Sequence, residues 1–181
     1  MRIIAGIRKG LKLSTPDGLD TRPTTDRVKE SVFNIIQAYL PADRVLDLFA
    51  GSGALGIEAI SRRSSLCVFV EHNRKAFELI HQNIVSARFE ENSERFFADS
   101  LTYLDSVSSP FDVIFLDPPY NKGFLSPVLD KISQRGLLNP DGIIVAETEK
   151  DGEVAEHPNY EVIRCAVYGK TVVTILKHKQ I

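Results

Sequence analysis

Apolar residues follow two patterns that alternate along the middle of the chain. Short, nearly continuous apolar runs predict buried strands, and apolar positions spaced by three or four residues predict amphipathic helices. The predicted strands cover residues 44–49, 66–71, 95–99, 111–117 and 142–148, and the predicted helices between them cover 54–62, 74–87, 100–107 and 124–136. This alternation predicts an α/β fold in which helices cover both faces of a parallel sheet.

The two ends of the chain depart from this alternation. Residues 24–40 carry apolar side chains at helical spacing and predict one more helix. Residues 160–169 and 171–178 predict two strands joined by a tight turn, and this closing hairpin adds an antiparallel strand. Short apolar pieces around Gly6 and Gly10 suit a small β-hairpin at the start of the chain.

The composition is ordinary for a globular domain. The chain has 181 residues, of which 43% are hydrophobic and 25% charged, so we expect one domain with a small extension. No apolar run could span a membrane, and nothing resembles a signal peptide. Cys67 and Cys165 lie in apolar runs without further ligands at metal spacing, so both are interpreted as core thiols. We expect a protein of the reducing cytoplasm, with no metal and no membrane partner.

Charge is distributed unevenly along the chain. The net charge is −2, yet residues 1–13 hold four basic residues and no acid, which leaves −6 for the rest. A basic arm on an acidic body suggests a polyanion at one end of the molecule, whereas a solvated terminal segment is the simpler alternative. The basic residues of this arm are Arg2, Arg8, Lys9 and Lys12.

A glycine-rich segment joins the first strand of the alternation to its helix. Gly51, Gly53 and Gly56 have the spacing G-x-G-x-x-G, and Glu71 lies twenty residues after Gly51, at the end of the next strand. Such glycines permit a tight turn and a close approach of ligand to backbone, and the acid can accept hydrogen bonds from ribose hydroxyls. The context indicates a cofactor that contains adenosine, and a plain tight turn is the alternative.

Acids stand at or near the ends of four successive predicted strands. They are Asp47, Glu71, Asp99 and Asp117, and ligands of open α/β sheets bind outside these carboxyl ends. A row of acids suits a cofactor with an ammonium and a sulfonium, such as S-adenosyl-L-methionine, better than the pyrophosphate of NAD. Acids at strand ends also cap helices, and this alternative stays open for Asp99 and Glu71.

The sequence Asp117-Pro118-Pro119-Tyr120 follows a buried strand. A residue before proline is extended and two prolines stiffen the turn, so this loop aims backbone carbonyls and the Asp117 carboxylate at one point. Tyr120 offers a flat ring on which a base can stack. The segment is interpreted as a clamp for a planar NH2 group, such as the exocyclic amine of a base, and an ordinary turn is the alternative.

Several segments carry a resemblance to a known family: RIIAG (2–6), RPTTDRVKESVFN (22–34), LDLFAGSGALGIEA (46–59), VE (70–71), DPPY (117–120) and the closing hairpin. The chain resembles the class I S-adenosylmethionine-dependent methyltransferases, and more closely the RsmD-like bacterial 16S rRNA guanine-N2 methyltransferases. The resemblance implies a Rossmann-like fold whose mostly parallel, seven-stranded sheet has an antiparallel last strand. It also implies a β-hairpin extension over residues 1–20 that contacts RNA and a methyltransferase domain over 21–181.

The resemblance also implies roles for individual residues. The cofactor, S-adenosyl-L-methionine, would be bordered by Phe49, Ala50, Gly51, Ser52 and Gly53, with Asp47 as an acid beside this loop, Glu71 at the ribose and Asp99 at the adenine. The site for the amine would consist of Asp117, Pro118, Pro119 and Tyr120. RNA would be contacted by the basic arm and by Arg22, Thr24 and Arg27, a cluster that could instead lie near the cofactor.

The implied partner is 16S rRNA within the small (30S) ribosomal subunit. The sequence shows no obvious exposed apolar stripe, so we expect a monomer, and we expect it to act in the cytoplasm. The same cofactor could also serve methylation of adenine N6 or of a protein glutamine amide; the segment 22–30 and the basic arm argue against these acceptors. Two further alternatives lie outside the methyltransferases. One is a dinucleotide-binding oxidoreductase, against which Asp47 and the DPPY segment weigh, and the other is an RNA-binding module without catalysis.

Overall fold

The computed structural model describes residues 1–16, 26–119, 123–152 and 155–180. The strands are β1 (Arg44–Asp47), β2 (Leu66–Glu71), β3 (Ser93–Phe97), β4 (Phe111–Leu116), β5 (Leu138–Glu149), β6 (Tyr160–Tyr168) and β7 (Thr171–His178). The helices are α1 (Asp26–Ile35), α2 (Ala54–Ser61), α3 (Arg74–Ala87), α4 (Ser100–Ser106) and α5 (Leu125–Gln134), with single 3-10 turns at Gln37–Tyr39 and Glu90–Asn92. Within these described ranges, no helix is long and apolar enough to cross a membrane.

The strands form one seven-stranded sheet in the order β3-β2-β1-β4-β5-β7-β6. Strands β1 to β5 are parallel, and β7 runs antiparallel to both of its neighbours. The strand order reverses between β1 and β4, and ligands of open α/β sheets bind at such a point, beyond the carboxyl ends of the strands. The predicted Rossmann-like sheet, mostly parallel and with an antiparallel last strand, is confirmed.

Two apolar cores lie on the two faces of the sheet. Val45 belongs to the core formed with α1, α2 and α3, and the next residue, Leu46, belongs to the core formed with α4 and α5. Successive residues of a strand point to opposite faces. The nearly continuous apolar runs of the sequence therefore reflect strands that are buried on both sides.

The predicted boundaries agree with the structure to within a few residues for most elements. Helix α3 occupies the predicted range 74–87, and Asn73 caps its first turn by accepting a hydrogen bond from a backbone N–H. Strand β3 covers Ser93–Phe97, so it begins and ends two residues before the predicted range 95–99. The reason is that its parallel pairing with β2 starts at Ser93. Asp99, predicted to end this strand, instead precedes the first residue of α4.

The first residues of the chain pair as a tight hairpin. Arg2 and Lys12 form an antiparallel bridge, and the N–H of Ile3 donates to the carbonyl of Leu11 over 2.9 Å. The Ile3 side chain is fully buried in the core formed with α1, α2 and α3, so the arm packs against the body of the protein. Residues 17–25 lie outside the described part of the chain, and the domain boundary after residue 20 stays a prediction.

The two cysteines lie in different environments. Cys67 is buried in β2, as predicted, whereas Cys165 is exposed in β6. The interpretation of Cys165 as a core thiol was therefore wrong. The physical reason is that β6 is the outermost strand of the sheet, and residues 161–165 are exposed one after another. An apolar run on such an edge strand does not require burial.

Candidate cofactor and amine site

Three predicted acids converge at one edge of the sheet. Asp47 ends β1 and pairs in register with Phe69 of β2 and Phe115 of β4. Glu71 and Asp117 each lie two residues beyond those partners, which places them just above Asp47. The charges of Asp117 and Glu71 contribute to raising the pKa of Asp47, as expected for neighbouring carboxylates.

Asp47 is the most deeply buried of these acids, with 2% of its surface exposed. Its Oδ2 atom accepts a hydrogen bond of 3.0 Å from the backbone N–H of Gly56, in the first turn of α2. Burial, and then the nearby Asp117 and Glu71 carboxylates, raise the pKa of Asp47 to about 7. Ionisation of Asp47 is therefore less favourable in the folded protein than in the unfolded chain.

The loop between β1 and α2 closes through its own backbone. The N–H of Gly53 donates to the carbonyl of Ala50 over 2.7 Å, and Gly51 and Gly53 have φ angles of +55° and +79°. Gly56 serves a different purpose, because a Cβ atom there would lie 2.3 Å from the Phe69 ring. This glycine lets α2 pack closely on β2, as the third glycine of the dinucleotide fingerprint does.

Glu71 joins this loop to the end of β2. Its Oε2 atom accepts from the Gly51 N–H over 2.9 Å, and Oε1 accepts from the Asn73 N–H over 2.7 Å. The exposed ring of His72 lies beside the same carboxylate, with Nδ1 3.3 Å from Oε1. The carboxylate is thus oriented at the rim of the glycine loop, where a ribose is expected in this type of sheet.

Asp99 caps a helix in this structure. Its Oδ1 atom accepts hydrogen bonds from the backbone N–H groups of Leu101 and Thr102, at 3.0 and 3.2 Å. The helix-cap alternative therefore applies to Asp99. Its contact with an adenine stays a prediction.

The DPPY segment begins at the carboxyl end of β4. Burial raises the pKa of Asp117 to about 6. Pro118 is buried and Pro119 is exposed. Tyr120, the predicted stacking ring, lies outside the described residues. Phe124, the residue before α5, contacts Phe49 of the glycine loop, with ring centroids 6.1 Å apart.

The predicted RNA-binding residues differ in their surroundings. Arg2, Lys9, Lys12 and Arg27 are exposed, and Arg22 and Thr24 lie outside the described residues. Arg8 differs, because its Nε atom donates to the carbonyl of Ala87 over 2.7 Å at the end of α3. Arg8 thus anchors the arm to the body, a role that no local sequence pattern indicated.

A buried ion pair that sequence reasoning missed connects three of the family segments. The Lys29 Nζ atom donates to the carbonyl of Arg2 over 2.6 Å and lies 3.4 Å from Glu58 Oε2. Glu58 in turn accepts from the backbone N–H groups of Ile4 and Ala5 at 2.8 and 3.0 Å. Burial lowers the pKa of Lys29, and Glu58 opposes this shift. Lys29 stands among the apolar residues Val32, Phe33 and Ile36 of its predicted helix, which signals burial of the charge but does not identify its partner.

A fifth acid lies at the same edge of the sheet. Glu147 is 2% exposed near the end of β5, directly after the pair formed by Leu116 and Ala146. Asp117 and Glu147 therefore follow matched positions on neighbouring strands. Glu147 could have been found from the sequence, because it is again an acid that follows an apolar run. Within the described ranges, no group of three or more His, Cys, Asp or Glu side chains has an arrangement that could hold a metal ion.

Comparisons with known proteins point to one family. The family model described as "Conserved hypothetical protein 95" matches residues 1–177. "Putative rRNA methyltransferase YlbH" of Bacillus subtilis (strain 168) is 40% identical over an alignment of 183 residues, which covers 99% of this chain and 100% of that protein. "Ribosomal RNA small subunit methyltransferase D" of Escherichia coli (strain K12) is 31% identical, over 99% of this chain and 90% of that protein.

Among solved structures, yhhF from Escherichia coli superimposes on this chain with a TM-score of 0.88 at 32% identity. The match covers 99% of this chain and 98% of that one. The similarity therefore includes the arm and the closing hairpin as well as the sheet.

Proposed function

We propose a function for this chain from its family, since it belongs to the family described as "Conserved hypothetical protein 95", the RsmD-like family of rRNA methyltransferases. The chain would methylate the exocyclic N2 amine of a guanine in 16S rRNA of the small ribosomal subunit. The methyl donor would be S-adenosyl-L-methionine. One observation carries the proposal. The acids Asp47, Glu71 and Asp117 lie together at the switch point of the sheet, and the last of them begins a rigid Asp-Pro-Pro loop.

The charge of the site supports this cofactor. Asp117 and Glu71 help to raise the pKa of Asp47, so a positively charged ligand beside them would stabilise the ionised site. The pyrophosphate of NAD would add negative charge at the same place. Glu71 would hold the ribose, and residues 49–53 would border the cofactor. When bound, S-adenosyl-L-methionine supplies an electrophilic methyl carbon.

Asp117 would hold the target amine. Its carboxylate and the backbone carbonyls of the proline turn are hydrogen-bond acceptors, which suits an NH2 group that donates both hydrogens. Two acceptors that fix these hydrogens favour a pyramidal nitrogen whose lone pair faces the methyl carbon. The nitrogen becomes acidic as it gains the methyl group and then loses one proton. Asp117, whose pKa burial raises to about 6, is mostly ionised at neutral pH and can accept that proton.

The target base has to leave its helix or be unpaired already, which costs a few kcal/mol. Stacking on Tyr120 would return roughly 1–3 kcal/mol. The exposed part of the basic arm, together with Arg22, Thr24 and Arg27, would contact RNA phosphates. We further propose that the enzyme acts as a cytoplasmic monomer on the 30S particle, whose shape would supplement a modest basic surface.

The test is transfer of labelled methyl groups to small subunits that lack the modification. Naked 16S rRNA, DNA and total protein are assayed in parallel, and the RNA is digested to separate its nucleosides. Label in N2-methylguanosine is the expected result. Label in methyladenosine or in protein would overturn the acceptor but leave the cofactor, and absence of label with intact cofactor binding would favour an RNA-binding role.

A further inference from the structure

One buried amide connects two segments to which the proposed function assigns different ligands. Asn83 of α3 is 1% exposed, and its side chain makes three hydrogen bonds. The Nδ2 atom donates to the carbonyls of Ser14 and Ser52, each over 2.9 Å, and Oδ1 accepts from the N–H of Ser14 over 2.8 Å. Both hydrogens of the amide are used, so any displacement of either segment leaves buried polar groups unpaired.

Ser52 lies in the glycine loop that would border the cofactor. Its carbonyl is held by Asn83, and the N–H of the same peptide group, which belongs to Gly53, donates to the carbonyl of Ala50 over 2.7 Å. The peptide is thus fixed from both sides. The flanking glycines have positive φ angles and cannot hold this orientation by steric restriction alone.

Ser14 directly follows the basic arm. The preceding residue, Leu13, is buried, and its N–H donates to the carbonyl of Met1 over 3.0 Å, which closes the arm on itself. A shift of the arm therefore moves Ser14. In the described parts of the chain, the other polar anchors of the arm lie in α1, in α2 and at the end of α3, and not in residues 48–53. They are Asp26, Lys29, Glu58, Ser61 and the Ala87 carbonyl.

We propose that Asn83 is a positioning residue that couples RNA binding by the arm to cofactor binding by the glycine loop. RNA bound to the arm fixes the position of Ser14. Ser14 orients the Asn83 amide through two hydrogen bonds, and the amide in turn orients the Ser52 carbonyl. Cofactor bound to the glycine loop fixes the Ser52 carbonyl, and the same hydrogen bonds then orient Asn83 and Ser14. By linkage, each ligand raises the affinity for the other by the same factor. The inference rests on the proposed function, since it needs both ligands.

The experiment measures the dissociation constant of S-adenosylhomocysteine, which cannot react, by equilibrium dialysis with and without excess small subunits that lack the modification. The ratio of the two constants is the coupling factor. We expect about fivefold or more for the wild type, the lower end of typical allosteric couplings. We expect a factor near one for Asn83→Ala, with weaker cofactor binding in the absence of subunits. Asn83→Asp keeps the size of the side chain but loses both donors, and serves as a second variant in case Asn83→Ala does not fold.

Two matched variants separate coupling from stability. Asn92→Ala removes another amide that donates to a backbone carbonyl, that of Ser65, away from the site, and should leave the coupling factor unchanged. Ser61→Ala removes the hydroxyl that bonds to Ala5 and Arg8, so it loosens the arm at a point not joined to the loop. It should weaken subunit binding, yet retain both the cofactor constant without subunits and the coupling factor.

The outcomes are distinct. Coupling that persists in both Asn83 variants, even with a lowered melting temperature, would show a merely structural amide and overturn the inference. A wild type that binds both ligands independently would also overturn it and leave the proposed function standing. A wild type that binds neither ligand would overturn the proposed function as well.

Discussion

The Lys29 ammonium and the Glu58 carboxylate form an ion pair of 3.4 Å in which both side chains are fully inaccessible to solvent. The pair joins α1 to α2, and the backbone of residues 2–5 is bonded to both partners. The arm is therefore attached to the body of the protein by hydrogen bonds from its backbone to this buried ion pair.

Removal of Glu58 alone should destabilise the fold more than removal of both partners, whereas removal of Lys29 alone leaves Glu58 paired with Arg62. Glu58→Ala leaves the Lys29 charge buried without its partner, which typically costs about 3–5 kcal/mol in the free energy of unfolding. Lys29→Met combined with Glu58→Ala should recover part of that loss, because no buried charge remains. Urea denaturation of the two single variants and the double variant measures this. Strictly additive losses would show that the two charges do not interact.

Gly56→Ala should strain the contact between α2 and β2. The added Cβ atom would meet the Phe69 ring at 2.3 Å and the Cys67 sulfur at 2.6 Å, and overpacking of this kind costs typically about 1–3 kcal/mol. We expect a lower melting temperature and weaker cofactor binding. Phe69→Leu in the same chain removes the nearest ring atoms and should restore part of the loss. Equal stability of Gly56→Ala and wild type would contradict this packing.

Asp47→Asn should stabilise the cofactor-free protein at high pH. The folded-state pKa of Asp47, raised by burial to about 7, exceeds its ordinary value of 3.8, so the folded protein binds the proton more tightly than the unfolded chain. The contribution of Asp47 to the free energy of unfolding is therefore favourable at low pH and falls as pH rises from about 4 to about 7. Asparagine can still accept from Gly56 N–H, and it carries no charge.

The gain is at most about 4 kcal/mol, at about 1.4 kcal/mol for each pKa unit. Urea denaturation at about pH 8 and about pH 5 should show an advantage of the variant that shrinks toward the lower pH. Asp105→Asn, at an exposed carboxylate that pairs with Lys131, is the control for the loss of a surface charge. Cofactor affinity should fall in Asp47→Asn but not in Asp105→Asn. A variant less stable than wild type at high pH would contradict the account.

Arg8 and Lys9 are adjacent but should behave differently. Lys9→Ala should leave the free energy of unfolding within about 0.5 kcal/mol of wild type and lower the salt dependence of RNA binding by up to about one unit of slope. Arg8→Ala should lower stability by about 1 kcal/mol or more, because it removes the hydrogen bond to the Ala87 carbonyl. Affinity titrations across salt concentrations, with urea denaturation, separate the two. Equal effects on both quantities would contradict the anchoring role of Arg8.

Local patterns predicted most of the fold. Helix α3 occupies its predicted range because Ile80 and Ile84 recur at helical spacing and Asn73 caps the start. The acids at the strand ends were found for a similar reason, since each follows an apolar run. A cysteine in such a run on the edge strand β6 was misjudged, because burial there depends on which neighbours cover the strand.

The connections between distant segments could not be predicted in this way. Lys29 and Glu58 are far apart in sequence, and nothing local indicates that they meet. The same holds for Asn83, which reads as an ordinary polar residue of a helix until the arm and the glycine loop are placed around it. Such partners follow only from the topology of the sheet.

The central claim is that the Asp117 carboxylate holds the target amine, and single-turnover methyl transfer by Asp117→Ala to unmodified small subunits tests it most directly. We expect the loss of N2-methylguanosine formation together with a dissociation constant for S-adenosyl-L-methionine within a few-fold of wild type, since Asp47, Glu71 and the glycine loop remain. An Asp117→Ala protein that forms N2-methylguanosine at the wild-type rate would contradict the claim.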